Sequence, residues 1–264
     1  MYDYHTHTSF SDDSDTPMDD MVRAAVHKGI KEIAITDHYD PDYPDPEFPF
    51  CPDFEKYQSS IASVRQQYAG DIKILNGIEI GIQDGRTITK CRNNAGSYPY
   101  DFIIGSFHCF NGTDLYRADY DSSHRGKDVY DFYSYVYKCL LQFLDFDVLG
   151  HINVIDRYLR FMPDYSESME MIEEILKLII ENGKGLEINT SSYRYDLGSR
   201  THPSSEILTL YRELGGEILT IGSDAHCTKD LGDRFHEAAE NAKYHGFKYM
   251  TLYENRIPKF IPIP

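Results

Sequence analysis

The sequence predicts an α/β barrel built by one continuous chain of alternating strands and helices. Short apolar runs alternate with amphipathic helical patterns about seven times, without a linker-like break in composition. The 264 residues fit one large domain, so residues 1–264 are treated as a single unit. Polar residues of metal-ligand type recur where the predicted strands end. A parallel sheet with this number of repeats and this length favours closure into a barrel.

The predicted strands are short and mostly apolar. They are Tyr2–His5, Glu32–Thr36, Ile72–Ile80, Tyr100–Phe107, Asp147–Gly150, Gly185–Asn189, Ile218–Ile221 and a final Tyr249–Leu252. The first helix begins at Pro17, after Thr16 as N-cap, and is stopped by Gly29. The later predicted helices are Asp53–Tyr68, Arg86–Asn94, Val129–Phe143, Glu167–Glu181, Ser204–Leu214 and Arg234–Tyr244.

Two long loops interrupt this pattern. Asp40–Pro52 contains five prolines in thirteen residues, a density that excludes a helix or a central strand. Its aromatic residues Tyr43, Phe48 and Phe50 indicate that the loop folds over another surface. Phe110–Lys127 is polar and irregular. Loops of this length are commonly functional, so both are expected to cover a binding site.

Composition limits the possible partners. The net charge of −17 disfavours binding to long nucleic acids. We expect no signal peptide and no membrane-spanning helix, because no apolar run approaches about 18 residues. The five cysteines are widely spaced and form no CxxC pair. A reducing, cytoplasmic location is therefore expected.

The residues of metal-ligand type follow one strand after another. His5 and His7 are two apart and point to the same side of an extended strand. The full set at strand ends is His5, His7, His38, Glu79, His108, His151, Asp224 and His226. In a parallel barrel these ends converge on one face. A lone histidine after a strand is usually a loop residue, and Glu79 by itself could instead form a salt bridge with an unidentified partner. The joint occurrence predicts a site for zinc, iron or manganese, without thiolate ligands.

These motifs resemble the polymerase-and-histidinol-phosphatase (PHP) superfamily. The matching segments are His5-Thr6-His7, Thr36-Asp37-His38, Gly77-Ile78-Glu79, Ser106-Phe107-His108, Gly150-His151 and Gly222-Ser223-Asp224-Ala225-His226. Gly150-His151-Ile152 and Leu186-Glu187-Ile188-Asn189-Thr190 are most similar to the histidinol-phosphatase branch. The resemblance covers nearly the whole chain.

The resemblance implies a distorted, TIM-like (β/α)7 barrel that holds two or three divalent metal ions. One ion would be bound by His5, His7, Glu79 and Asp224, and a second by Glu79, His108 and His151. A third would take His38, His226 and an acidic residue after His7. Both Asp12 and Asp13 suit that position. We favour Asp12, because Phe10-Ser11-Asp12 is similar to the Tyr-Ser-Asp of some relatives.

The function expected from this resemblance is hydrolysis of L-histidinol phosphate to L-histidinol and phosphate, in histidine biosynthesis. A hydroxide bridging two metals would attack phosphorus, with Glu79 as the bridging carboxylate and Asp224 or His226 assisting proton transfer. Arg157 and Arg194 are similarly placed to the branch's phosphate-binding arginines, although surface salt bridges and the neighbouring Arg160 are alternatives.

Two other functions stay open from the sequence. One is a phosphoesterase of the same superfamily that acts on nucleotides, short oligonucleotides or another small phosphoester. The other is a non-enzymatic metal-binding barrel. A small-molecule substrate, no long nucleic acid and no membrane partner are expected, and the oligomeric state is not predicted.

Overall fold

The computed structural model describes residues 1–120, 125–159, 162–195, 197 and 201–264, without the side chain of Arg125. The strands of the described chain are β1 (Tyr2–Thr6), β2 (Glu32–Ile35), β3 (His38–Tyr39), β4 (Lys73–Gly81), β5 (Phe102–Ser106), β6 (Cys109–Phe110), β7 (Thr113–Asp114), β8 (Val148–Leu149), β9 (Gly185–Asn189), β10 (Leu219–Gly222), β11 (Tyr249–Glu254) and β12 (Ile257–Pro262). The α-helices are α1 (Met18–His27), α2 (Phe54–Gln67), α3 (Arg86–Ser97), α4 (Arg125–Leu140), α5 (Met169–Glu181), α6 (Ser205–Glu213) and α7 (Phe235–Tyr244). Two 3₁₀ helices cover Val154–Arg157 and Thr190–Arg194.

Parallel strands form the centre of the molecule. In the part of the chain that the structure describes, their order is β1-β2-β4-β5-β8-β9-β10, and the short β3 pairs with β4. The strands are buried on both faces; along β4 only Lys73 is exposed. This burial explains why they are continuous apolar runs rather than alternating patterns. The predicted barrel of alternating strands and helices is confirmed.

The seam between β1 and β10 brings the ends of the sheet together. The Asp224 amide donates to the His5 carbonyl at 2.8 Å, and the His7 amide donates to the Ala225 carbonyl at 2.9 Å. A Cβ at Gly222 would lie 2.4 Å from the His5 Cβ, so glycine permits this close approach. At the same seam the buried Asp3 carboxylate accepts the Ser223 amide at 2.9 Å.

The helices cover the sheet by the apolar stripes predicted from their spacing. On α1 the buried residues are Met18, Met21, Val22 and Ala25. The predicted N-cap role of Thr16 is wrong. Pro17 takes the N-cap position, and the Thr16 hydroxyl donates to the His226 carbonyl instead. None of the helices among the described residues combines the length and apolarity needed to cross a membrane.

Two hairpins were not predicted. The β6–β7 hairpin follows His108, inside the segment expected to be irregular. The antiparallel β11–β12 hairpin closes the described chain. Pro258 and Pro262 lie in β12, and proline is confined to edge strands because it donates no backbone hydrogen bond. Strands this short, or this rich in proline, leave little periodic signal in a sequence.

Candidate metal centre

The strand ends bring the predicted ligand residues together. His5 lies in β1 and His7 just after it, His38 begins β3, and Glu79 lies near the end of β4. His108, His151, Asp224 and His226 follow β5, β8 and β10. Ligand atoms of these residues form overlapping groups of three, each group within 4.8 Å. The convergence predicted for the carboxyl ends of the strands is therefore present in the structure.

Glu79 lies at the centre, and its two oxygens face different groups of imidazoles. Oε2 lies 3.1 Å from His38 Nδ1, 3.2 Å from His5 Nε2 and 3.5 Å from His7 Nε2. Oε1 lies 3.2 Å from His108 Nε2 and 3.1 Å from His151 Nε2. One fully buried carboxylate thus joins two groups of imidazole nitrogens, which is the arrangement required of a residue that bridges two cations.

Asp224 completes the group around His5 and His7. Its Oδ1 lies 3.8 Å from His5 Nε2 and 3.4 Å from His7 Nε2. Its backbone φ is 53°, in the left-handed region that is uncommon for residues other than glycine. The seam hydrogen bond from its amide holds this conformation. The structure therefore keeps one carboxylate oxygen turned towards the imidazoles, at a cost in backbone strain.

Asp13, and not Asp12, reaches the last pair of imidazoles. Asp13 Oδ2 lies 3.1 Å from His226 Nε2 and 3.6 Å from His38 Nε2. Asp12 points away, and its carboxylate accepts the backbone N–H of Phe50 at 2.6 Å. The expectation that Asp12 faces the cluster is not met. The turn after His7 reverses the direction of adjacent side chains, and motif similarity alone does not determine which of the two aspartates turns inward.

Two carboxylates orient the imidazoles, although neither is among the predicted metal ligands. Glu187 Oε1 lies 2.6 Å from His5 Nδ1, and Asp40 Oδ1 lies 2.7 Å from His108 Nδ1. Each contact places the proton on Nδ1 and leaves Nε2 free to bind a cation. The sequence could have indicated the role of Glu187, because a carboxylate inside the apolar strand Leu186-Glu187-Ile188 repeats the pattern around Glu79. No sequence pattern indicates the role of Asp40, since it begins the proline-rich loop.

The protonation equilibria show how strongly these groups interact. Burial opposes protonation of His5, but Glu187, Glu79 and Asp224 raise its pKa well above the ordinary value. At His7, burial and the neighbouring His226 and His38 lower the pKa. Burial alone would raise the pKa of Glu79, yet the adjacent imidazoles hold it well below its usual range.

Orphaned polar atoms test whether this donor set fits divalent metals. His5 Nε2, His7 Nε2, His38 Nδ1 and Glu79 Oε2 are buried and lack a hydrogen-bond partner within the described structure. Unpaired buried polar atoms are costly, so several that face one another are suited to share a cation. Mixed imidazole and carboxylate donors suit zinc, iron or manganese. The residues present therefore fit the metals expected from the sequence.

A cavity of about 320 Å³ opens onto the cluster. The metal-site residues on its wall are Asp13, His38, His108, His151, Asp224 and His226. Tyr43 and Phe50 of the proline-rich loop also line it, whereas Phe48 is exposed at the surface. The loop therefore covers the cluster, as its aromatic residues indicated.

The two arginines predicted to bind phosphate have different places. Arg157 lines the cavity, and its Nη2 donates to Asp224 Oδ2 at 2.9 Å and to Ser191 Oγ at 2.6 Å. Arg194 is not among the lining residues. Its Nη2 donates to the Ser223 and Asp224 carbonyls at 2.8 and 2.9 Å, so it supports the loop behind the cluster. Arg160, the alternative, lies outside the described residues.

The fold and the site define a class of protein: a parallel barrel that gathers imidazole and carboxylate groups of metal-ligand type at the carboxyl ends of its strands. The PHP domain model matches residues 3–191. The chain is 33% identical to the "Probable histidinol-phosphatase" of Clostridium acetobutylicum, over 98% of this chain and 99% of the relative. It is 28% identical to the "Histidinol-phosphatase" of Lactococcus lactis, over 95% and 93% of the two chains.

A solved structure shows the same architecture. It is histidinol phosphate phosphatase from Lactococcus lactis, complexed with zinc, L-histidinol and phosphate. Its sequence identity to this chain is 26%, with a TM-score of 0.87 and coverage of 98% of both chains. The chain belongs to the PHP domain family.

Proposed function

We propose that this protein hydrolyses L-histidinol phosphate to L-histidinol and inorganic phosphate. The observation that carries the proposal is the divided environment of Glu79, with three imidazoles at one oxygen and two at the other. Beside it, the Arg157 guanidinium lines the cavity. Two adjoining cation positions next to an arginine suit a phosphomonoester dianion.

The named relatives support the substrate. Full-length relatives carry the name histidinol-phosphatase, and the Lactococcus lactis structure holds both products of the proposed reaction. We assign the metals as two or three ions of zinc, iron or manganese. His5, His7, Glu79 and Asp224 would hold one, and Glu79, His108 and His151 a second. For a third we propose His38, His226 and Asp13, which replaces Asp12 on the basis of its contacts.

When bound, the metals would polarise the phosphoryl group and make water acidic enough to react near neutral pH. The remaining work falls to side chains of this chain. Arg157 Nε is buried and has no hydrogen-bond partner among the described residues, so the guanidinium retains a donor for a phosphate oxygen. Asp224 and His226 line the cavity and are the groups we assign to proton transfer.

The cysteines bear on the cellular location of the enzyme, and the apolar core bears on its domain organisation. The five cysteines are free, and Cys91, Cys109 and Cys139 are buried. We infer a cytoplasmic location from this absence of disulfides among the described residues. We also treat residues 1–264 as one PHP-type domain, because a single apolar core extends from Tyr4 to Ile263. The expected ligand is a small phosphoester, with no role for long nucleic acid.

The test compares substrates on metal-loaded protein. We expect kcat/KM for L-histidinol phosphate to exceed the values for p-nitrophenyl phosphate, bis(p-nitrophenyl) phosphate and a short oligonucleotide by at least about tenfold, since its contacts outside the phosphoryl group add binding energy. Glu79→Gln is the inactive control. Equal or faster turnover of the diester or the oligonucleotide would replace the proposal with the nucleotide-directed alternative.

A further inference from the structure

Asp12 joins the turn after β1 to the proline-rich loop Asp40–Pro52. It is exposed at the surface, next to Asp13, and its carboxylate is directed away from the imidazoles. Oδ2 accepts the Phe50 amide at 2.6 Å, across 38 residues of sequence. A carboxylate that accepts a backbone N–H at this distance makes a charge-assisted hydrogen bond. The metal cluster does not account for this contact, so Asp12 needs a different explanation.

Phe50 has an unusual backbone conformation. Its φ is 39°, on the positive side that bulky residues rarely adopt. Its amide donates to Asp12, and its carbonyl accepts the Asp40 amide at 2.9 Å. Strained conformations persist only where the surrounding structure fixes them, and they are often found beside active sites. These two hydrogen bonds, one on each side of the residue, therefore hold Phe50 in its strained conformation.

This conformation turns the Phe50 ring towards the metal cluster. Phe50 is only 7% exposed. The centre of its ring lies 4.8 Å from the centre of the His38 ring and 4.8 Å from that of Tyr43. All three side chains line the cavity that opens onto the cluster. The backbone conformation of Phe50 thus determines the shape of the cavity wall on the His38 side.

The first half of the loop has anchors of its own. The Tyr43 amide donates to the Asp40 carbonyl at 3.1 Å, and the Asp42 carboxylate is bonded to side chains of helix α3. Those contacts do not involve Asp12. Loss of the Asp12 carboxylate should therefore release the Phe50 end of the loop and leave the Tyr43 end in place.

We propose that Asp12 is a positioning residue whose carboxylate latches the proline-rich loop and thereby keeps the Phe50 ring in the cavity wall. Asp12 acts through Phe50 rather than as a metal ligand. The two adjacent aspartates then have separate roles, with Asp13 directed to the imidazoles and Asp12 to the loop. The effect on catalysis rests on the proposed function, because it concerns how the cavity holds the phosphomonoester, whereas the latch itself does not depend on the substrate.

Hydrogen exchange in zinc-loaded protein tests the latch without any substrate. In Asp12→Ala the Phe50 amide loses its acceptor and should exchange about tenfold faster or more. The Tyr43 amide, which donates within the loop, should stay within about twofold of wild type. Asp12→Asn keeps one acceptor oxygen and should lie between wild type and Asp12→Ala. Asp15→Ala, an exposed change of the same kind in the same segment, should match wild type.

Steady-state kinetics test the connection from the latch to the active site. Asp12→Ala should raise KM for L-histidinol phosphate by about five- to tenfold, with kcat within about twofold and the metal content of wild type, because the predicted ligands are untouched. Phe50→Ala removes the ring on which Asp12 acts. In that background Asp12→Ala should therefore produce no further rise in KM.

Several results would overturn the assignment. They are unchanged exchange at the Phe50 amide, equal acceleration at Phe50 and Tyr43, an unchanged KM, or effects of Asp12→Ala and Phe50→Ala on KM that simply multiply. Loss of a metal ion in Asp12→Ala would also overturn it and return Asp12 to the ligands. If wild-type protein shows no preference for L-histidinol phosphate, the proposed function fails, and exchange at the Phe50 amide still decides whether Asp12 is the latch.

Discussion

Glu187→Gln should weaken metal binding although Glu187 is not itself among the predicted ligands. The two carboxylate oxygens accept three donors: His5 Nδ1 at 2.6 Å, the His151 amide at 3.0 Å and Asn189 Nδ2 at 3.0 Å. A glutamine amide offers one oxygen and one NH₂ group, so at least one donor would face another donor. A buried mismatch of this kind costs about 1–3 kcal/mol.

The mismatch affects the metal through the tautomer of His5. If the NH₂ group faces Nδ1, the proton moves to Nε2, and His5 can no longer bind a cation there. Loss of such an outer contact typically lowers metal affinity or activity about 10- to 100-fold, which agrees with the energy of the mismatch.

The assay is a chelator competition that gives metal dissociation constants, together with kcat/KM at fixed free zinc. Glu181→Gln, at the exposed end of α5, is the control for removing one negative charge. Wild-type metal affinity and activity in Glu187→Gln would refute the reasoning that the tautomer of His5 is set by this contact.

Three further predictions concern other parts of the site. Asp13→Ala should lower the affinity for the proposed third metal, because Asp13 contacts His38 and His226, whereas Asp12→Ala should not. Metal stoichiometry by mass spectrometry distinguishes the two variants, and the reverse result would restore Asp12. Arg157→Ala should raise KM by about tenfold or more, because a charged donor to phosphate is lost. Arg194→Ala should instead lower the melting temperature, with a smaller change in KM. Equal effects of the two variants on KM would contradict the placement of the arginines. Burial raises the pKa of Asp3 to about 6, so its contribution to stability is present at pH values below its ordinary pKa and is lost as the pH rises through about 6. In metal-free protein Asp3→Asn should therefore gain stability relative to wild type between about pH 4 and 7, by up to about 3 kcal/mol; a difference in unfolding free energy that does not vary with pH would contradict this.

The alternation of strands and helices and the convergence of the residues of metal-ligand type could be predicted from the sequence. Each depends on a strong local signal: an apolar run ends, and a histidine or carboxylate follows. Glu79 shows this clearly, because a carboxylate inside Ile78-Glu79-Ile80 must have a buried partner. The parallel topology then requires those ends to meet, whatever the details of the loops.

The positions that the sequence did not determine lie where the backbone turns sharply or where a role depends on a distant partner. Asp12 and Asp13 are adjacent in one turn, and only the turn geometry decides which faces His226. Arg194 follows its strand as expected, but its Nη2 donates to backbone carbonyls of the seam, while its buried Nη1 has no hydrogen-bond partner among the described residues. Asp40 orients His108 across 68 residues of sequence, a pairing that no local pattern indicates.

Anomalous diffraction from a zinc-loaded crystal tests the account most directly. We predict at least two peaks, with one beside each oxygen of Glu79. The first should lie among His5, His7 and Asp224, and the second between His108 and His151. A single peak, or peaks that leave Glu79 uncoordinated, would contradict the bridging role of this carboxylate and the mechanism that depends on it.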